Sequence, residues 1–317
     1  MNSQSKIAII AIIVVIPLSM FAVYGTDSTK IPDTPENSKL KVISSFYPLH
    51  EFSQNIGQDK VDTILLTPIG VEPHDWEPTI KDVQKMQTAD LIIINGIGFE
   101  TWVEDLEENG FSGIIIDTSN GILVASHEEE HEEEHEEEHE EESHDKHAHV
   151  LGDPHIWLNP VLAKTQVQNI ANGFSNSDPE NNQFYQTNAA TYIKQLDELD
   201  SKIRTELSSC KSDFIAFHDA FSYFADEYGL TQHTILSSSN PHGEASARTL
   251  EKVISEAREL NIKIIFSEES VNQKTSEIIA NEIGGKVLVL SPLESVTNGT
   301  YLSKMNENLE NLKEALC

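Results

Sequence analysis

Histidine is the residue type through which this chain could do the most chemistry, and thirteen are present. Seven of them, His127, His131, His135, His139, His144, His147 and His149, crowd into the stretch HEEEHEEEHEEEHEEESHDKHAH (127–149). A neutral imidazole is a common metal ligand, and its ordinary pKa of about 6.5 leaves it free to bind near neutral pH. The first four of these histidines recur every four residues, so a helix would align them on one face. Twelve glutamates packed between them repel one another, and no apolar residue is present to dock such a helix. The stretch is therefore expected to be disordered without metal and to bind metal weakly and reversibly. It reads as an accessory, with a solvated charged linker as the plainer alternative.

The six remaining histidines are scattered. His74 lies in GVEPHDWEPT, His155 in DPHIWLNP and His218 in AFHDAF. Each has an aspartate nearby (Asp75, Asp153, Asp219) that could accept from one ring nitrogen and so orient the other toward a metal. Taken singly, each could be an ordinary loop histidine. His50, in YPLHEF, is expected on a helix in a structural role. His233 falls inside a strand pattern, and His242 sits in a loop, NPHGEAS.

The elements that must position these side chains are legible as alternating strands and helices. Strands are expected at 41–47, 61–66, 90–95, 113–117, 213–217, 231–236, 263–266 and 286–290. Helices are expected to start at Thr79, which has Asp82 three residues on as a capping partner, and at Pro160 behind Asn159. Others are expected near 99–108, at 246–260 and at 300–316. A long amphipathic helix is expected from Asp178 as N-cap and Pro179 at N1, with Tyr192, Leu196, Leu199, Ile203 and Leu207 on one stripe. Strand–helix alternation on both sides of it implies an α/β protein with parallel sheets. A faint echo between VISSFYPLHEF and FIAFHDAFSYF favours two similar (β/α) lobes joined by a rigid spine helix. His74, His155 and His218 would then all sit at the rim beyond strand carboxyl ends, where open α/β sheets bind ligands.

Charge and composition narrow the function. A formal net charge of −32 makes nucleic acid an unsuitable partner. Lys6 precedes eighteen uncharged residues, Ile7 to Tyr24, long for a signal h-region and just enough to span a bilayer. Residues 1–25 therefore read as a signal peptide or membrane anchor, and 26–39 as a polar tether. No cysteine follows the apolar run, which argues against lipid modification. The body is expected outside the cytoplasm, where a disulfide between Cys210 and Cys317 is permitted. The expected layout is a first lobe at 40–177 containing the 127–149 insert, a spine at 178–210 and a second lobe at 211–317.

With SSFYPLHEFSQNIG, GVEPHDWEPT, ADLIIINGIGFETWVEDL, DPHIWLNP, FHDAF and IIFSEESVNQKTSEIIANEIGGKVLVL in this order, the chain resembles the ZnuA/TroA group, the cluster A-I metal-binding receptors of ABC importers. The resemblance covers about residues 40 to 316. It implies two lobes bridged by a long helix, a metal in the interlobe cleft, and metal-ligand roles for His74, His155 and His218. It also implies that the acidic insert is the flexible loop of zinc-type members, and that ABC permease subunits are partners. One departure stands out. Where the group often carries an aspartate ligand in LDPLG, this chain reads LSPLES, with Ser291 at the aspartate position. Glu268, after the strand at 263–266, is the first substitute as fourth ligand; water, Glu72 or an insert histidine are alternatives. Three imidazoles and one oxygen suit Zn2+, whereas Mn2+ would call for more carboxylate. The expected function is an extracytoplasmic zinc receptor rather than an enzyme. A zinc hydrolase, or a metal buffer acting through the insert alone, are the competing readings.

Overall fold

Leu40–Ser44 (β1), Val61–Leu65 (β2), Leu91–Ile94 (β3) and Ile114–Asp117 (β4) form one parallel sheet in the order β2-β1-β3-β4. Asp213–His218 (β5), Thr231–Leu236 (β6), Ile264–Ser267 (β7) and Lys286–Val289 (β8) form a second, in the order β6-β5-β7-β8. The two orders are the same, so the sequence echo reflects a shared lobe topology. The computed structural model describes residues 39–124, 152–236 and 245–317, except 270, 272, 295 and 297. The apolar run at 7–24, the insert at 127–149 and His242 all lie outside the described residues.

The helices are Tyr47–Gly57 (α1), Ile80–Met86 (α2), Val103–Glu108 (α3), Pro160–Ser177 (α4), Asn182–Leu207 (α5), Ser222–Tyr228 (α6), Ala247–Glu259 (α7), Lys274–Ile283 (α8) and Tyr301–Leu316 (α9). Local chemistry explains their starts. Thr79 and Asp82 close a reciprocal capping box at α2, and the Asn159 side chain accepts from Val161 N ahead of Pro160 at α4. The long helix departs from expectation. Asp178 makes no cap, because its Oδ2 accepts from Tyr185 Oη at 2.7 Å and Asn181 Nδ2 at 2.6 Å. Residues Pro179–Asn181 form a tighter 3₁₀ turn instead, and α5 begins at Asn182.

The 26 residues of α5 extend about 39 Å at 1.5 Å per residue. Tyr185, Ala189, Tyr192, Leu196, Leu199, Ile203 and Leu207 are all buried along its stripe. They belong to a single apolar cluster that also holds Val42, Leu91 and Trp157 of the first lobe and Phe214, Phe266 and Leu309 of the second. The spine is thus core to both sheets. Each apolar side chain removed from water there contributes about 1.5–3 kcal/mol, which makes bending of α5 expensive. Cys210, just past α5, is disulfide-bonded to Cys317 at the end of α9, with Cα atoms 4.6 Å apart.

Candidate metal centre

The residues of the centre come from strand ends and from the loops that follow strands or precede helices. His218 is the last residue of β5. Glu268 follows β7, and Glu294 lies in the turn between β8 and α9. His74 comes from the loop between β2 and α2. His155 immediately precedes the 3₁₀ turn Ile156–Leu158, which leads into Asn159 and α4. Because β5 and β7 are neighbours and their connections leave in opposite directions, the crevice between them is a topological switch point, where such sheets bind ligands.

The three histidines converge. Nε2 of His155 lies 3.2 Å from Nε2 of His74 and 3.3 Å from Nε2 of His218. Glu294 supplies the fourth atom, its Oε1 standing 3.1, 3.4 and 3.8 Å from Nε2 of His74, His155 and His218. Four atoms within 4.8 Å of one another make the single such group of potential ligands among the described residues. Bonds of about 2.0–2.1 Å around a tetrahedral zinc give ligand–ligand edges of roughly 3.3–3.4 Å. Five measured edges of 3.1 to 3.8 Å therefore fit one zinc ion at the centre.

The far side of two rings is fixed by carboxylates. Asp153 Oδ1 is 2.6 Å from Nδ1 of His155, and Asp153 also accepts from the Ser222 hydroxyl. Glu268 Oε1 is 2.6 Å from Nδ1 of His218 and accepts from its backbone N at 3.3 Å. Glu268 therefore faces away from the cluster, and Glu294 occupies the fourth corner expected for it. The aspartate pairing holds at His155; at His218 Glu268 takes Nδ1, while Asp219 accepts from Gln232 and Asp75 is exposed. Glu72, the other carboxylate alternative, lies at the edge, 3.9 Å from Nε2 of His74. His74 packs edge-on against Phe99 at 4.9 Å. The other described histidines are elsewhere: His50 on α1 meets Thr63 of β2 through Nδ1, and His233 lies between Asp213 and Glu256.

Charge in the cluster follows from burial and partners. Burial alone would lower the His155 pKa, but Asp153, reinforced by Glu294, overrides it and holds the ring at about 10. His218 is raised in the same way, against burial, by Glu268. His74 has no such carboxylate behind it, and burial lowers its pKa. Glu294, though buried, is held well below the ordinary carboxylate range by the facing imidazoles. Burial, with Glu294 beside it, pushes Glu72 up to about 9. The centre is an ionised carboxylate facing two rings that favour the protonated form, and a divalent cation would take the place of those protons.

Two buried groups behind the site were not singled out in the sequence. Glu100 accepts from Ser45 Oγ at 2.6 Å and from the backbone N of Asn95 and Gly96 at 2.8 and 3.1 Å. Asn95 Nδ2 donates to Pro154 O at 2.8 Å, pinning the residue before His155. Glu294 itself stood in plain view, in LSPLES, three residues beyond the serine that marked the missing aspartate.

Two parallel-sheet lobes on a shared spine helix, with three imidazoles, two of them buried, and a buried carboxylate clustered where the sheets' ends meet, define the architecture of a two-lobed metal receptor. The ZnuA family, described as "zinc-uptake complex component A periplasmic", matches residues 42–315, and the chain belongs to it. It is 42% identical to the Bacillus subtilis high-affinity zinc uptake system protein ZnuA over 94% of both chains. It is 36% identical to the zinc-binding protein AdcA of Streptococcus pyogenes over 95% of this chain, which spans 61% of that relative's length. The metal-dependent lipoprotein YcdH of Bacillus subtilis superposes with a TM-score of 0.74 at 37% identity, covering 88% of this chain and all of that one. The Zn(II)-bound ZnuA-like domain of Streptococcus pneumoniae AdcA gives 0.73 at 31% identity, covering 88% and 99%.

Proposed function

We infer that this chain is a zinc-binding receptor of an ABC-type import system, carrying one Zn2+ as cargo on His74, His155, His218 and Glu294. The observation that carries this reading is the set of ligand-atom separations, which matches the edges of a zinc tetrahedron. The nitrogen-rich donor set suits zinc over the oxygen-rich preference of manganese. Family membership and the zinc-binding names of its relatives support the same cargo. The Glu294 oxygen, as the fourth ligand, also closes the coordination sphere. Catalytic zinc sites keep a position open for water or substrate, so the hydrolase reading has no support in this geometry.

The receptor works outside the cytoplasm and passes zinc to the membrane subunits of its importer. The periplasmic description of the family and the lipoprotein relatives support that location. Among the described residues no helix is long and apolar enough to cross a membrane. Residues 1–25 serve as its signal peptide or membrane anchor in this reading. Release proceeds by small shifts of lobes and loops, since α5 is core to both lobes. The 127–149 insert is an accessory zinc-capture loop.

The decisive experiment is a zinc titration against a competing chelator, using the chain with residues 127–149 deleted. One tight equivalent, abolished by His155→Ala, is expected. Loss of tight binding on deletion alone would transfer the function to the insert and leave a buffer in place of a receptor.

A further inference from the structure

The turn that presents Glu294 is held in a backbone conformation its own sequence does not favour. Leu293, fully buried, has φ of +60°, a region that residues with a Cβ seldom occupy. Side chains from outside the turn hold it there. Asn308 on α9, 3% exposed, accepts from Ser291 N at 2.8 Å and donates to Ser291 O at 2.7 Å. One amide side chain thus engages both backbone groups of the residue that replaces the family's aspartate. Ser291 Oγ in turn accepts from Leu293 N at 3.3 Å.

The second brace comes from the segment that bears His155. Trp157, two residues after His155, donates its indole N–H to Pro292 O at 2.8 Å. Its own carbonyl accepts from Tyr301 Oη at 2.6 Å, so the start of α9 is bound to the same turn. The His155 segment and the Glu294 segment, which belong to different lobes, are cross-braced by one fully buried tryptophan. Apolar side chains surround the turn (Leu290, Leu293, Val296, Tyr301), and packing alone gives no reason for a buried amide at position 308. What the amide does is fix Ser291 and, through it, the strained residue next to Glu294.

We propose that Asn308 and Trp157 are positioning residues for the fourth zinc ligand, bracing the Ser291–Leu293 turn so that the Glu294 carboxylate meets the three imidazoles. This rests on Glu294 ligating zinc. In this arrangement Ser291 anchors the turn and Glu294 reaches the imidazoles from its far end.

A double-mutant cycle tests it, with zinc affinity read by chelator competition and ligand geometry by the visible spectrum of the Co2+-loaded chain. Glu294→Ala should weaken zinc at least tenfold, and Asn308→Ala about tenfold, within the range found when supports of metal ligands are removed. The double variant should be no more than about twofold weaker than Glu294→Ala, because Asn308 acts through Glu294. Co2+-loaded Asn308→Ala should shift toward the Glu294→Ala spectrum. If Asn308→Ala fails to fold, Trp157→Phe, which removes the indole donor and keeps an aromatic ring in the buried position, carries the same cycle. A loss of equal factor in both backgrounds would mean a general structural role and overturn the proposal. So would Glu294→Ala weakening zinc while the bracing variant leaves it unchanged. Unchanged affinity in Glu294→Ala would instead remove Glu294 from the ligand set, and the proposal with it.

Discussion

Glu268 Oε1 sits 2.6 Å from Nδ1 of His218, on the edge of the ring opposite the nitrogen that faces His155. The carboxylate thereby fixes which nitrogen His218 offers and raises the basicity of the ring. Glu268→Gln, which keeps an acceptor but removes the charge, is expected to weaken zinc about tenfold, and Glu268→Ala up to about a hundredfold, with one equivalent still bound. A competition titration of both variants checks this; complete loss of the equivalent in Glu268→Gln would make Glu268 a direct ligand after all.

Zinc uptake should release protons, with a sign that follows from His155. Its pKa in the metal-free fold is about 10, raised from 6.5 by Asp153 against burial. The stability this group gives the metal-free protein is full below about pH 6.5 and is lost as pH rises through about 10. Zinc takes the ring neutral, so at pH 7 a bound proton must leave, and apparent zinc affinity rises with pH across that window. Glu294 is already ionised and contributes no proton. Calorimetry in buffers of different ionisation enthalpy should find about one proton or more released per zinc; none released would contradict the charge assignment.

Opening the Cys210–Cys317 bond should lower stability without removing the site. The bond closes a separation of 107 residues and ties the end of α9 to the residues after α5. For a loop of that size the chain-entropy view gives about 4–5 kcal/mol. Thermal unfolding of the Cys210→Ser/Cys317→Ser chain should show a marked fall in Tm, with zinc stoichiometry unchanged.

Asn95→Ala should act on His155 from behind. Asn95 Nδ2 holds Pro154 O, and Gln166 Nε2 donates to Asn95 Oδ1 at 3.1 Å, so the substitution removes two buried hydrogen bonds, leaving Pro154 O with Ile156 N and Gln166 Nε2 with Thr118 Oγ1. A stability loss of about 1–3 kcal/mol is expected, together with weaker zinc binding. Denaturant unfolding of the metal-free chain, paired with a zinc titration, separates the two effects.

Some of this molecule was written in short-range patterns. The pattern marks the eight strands of the two sheets to within a few residues, because each is a short run rich in apolar and β-branched residues bounded by turn signals. Asn159–Pro160 and Thr79–Asp82 mark helix starts because a cap acts within three residues of itself. His74, His155 and His218 stand out because each occupies the same place relative to a strand or helix end. The start of α5 differs from the local pattern for a tertiary reason: Asp178 is claimed by Tyr185, a full turn and more downstream.

What the sequence could not decide was which nitrogen each histidine turns inward, and which carboxylate closes the set. Asp153 looks like a partner for His155 because it is two residues away, and it is one. Glu268, fifty residues from His218, becomes its partner only because β7 lies beside β5. Glu294 reaches the cluster because Leu293 is forced into a left-handed turn by Asn308 and Trp157, contacts of long sequence separation. Residue types and local spacing determined that a histidine-based metal site exists. The choice among its carboxylates was left to the packing of two lobes against one helix, because a ligand's direction is set by whatever lies behind it.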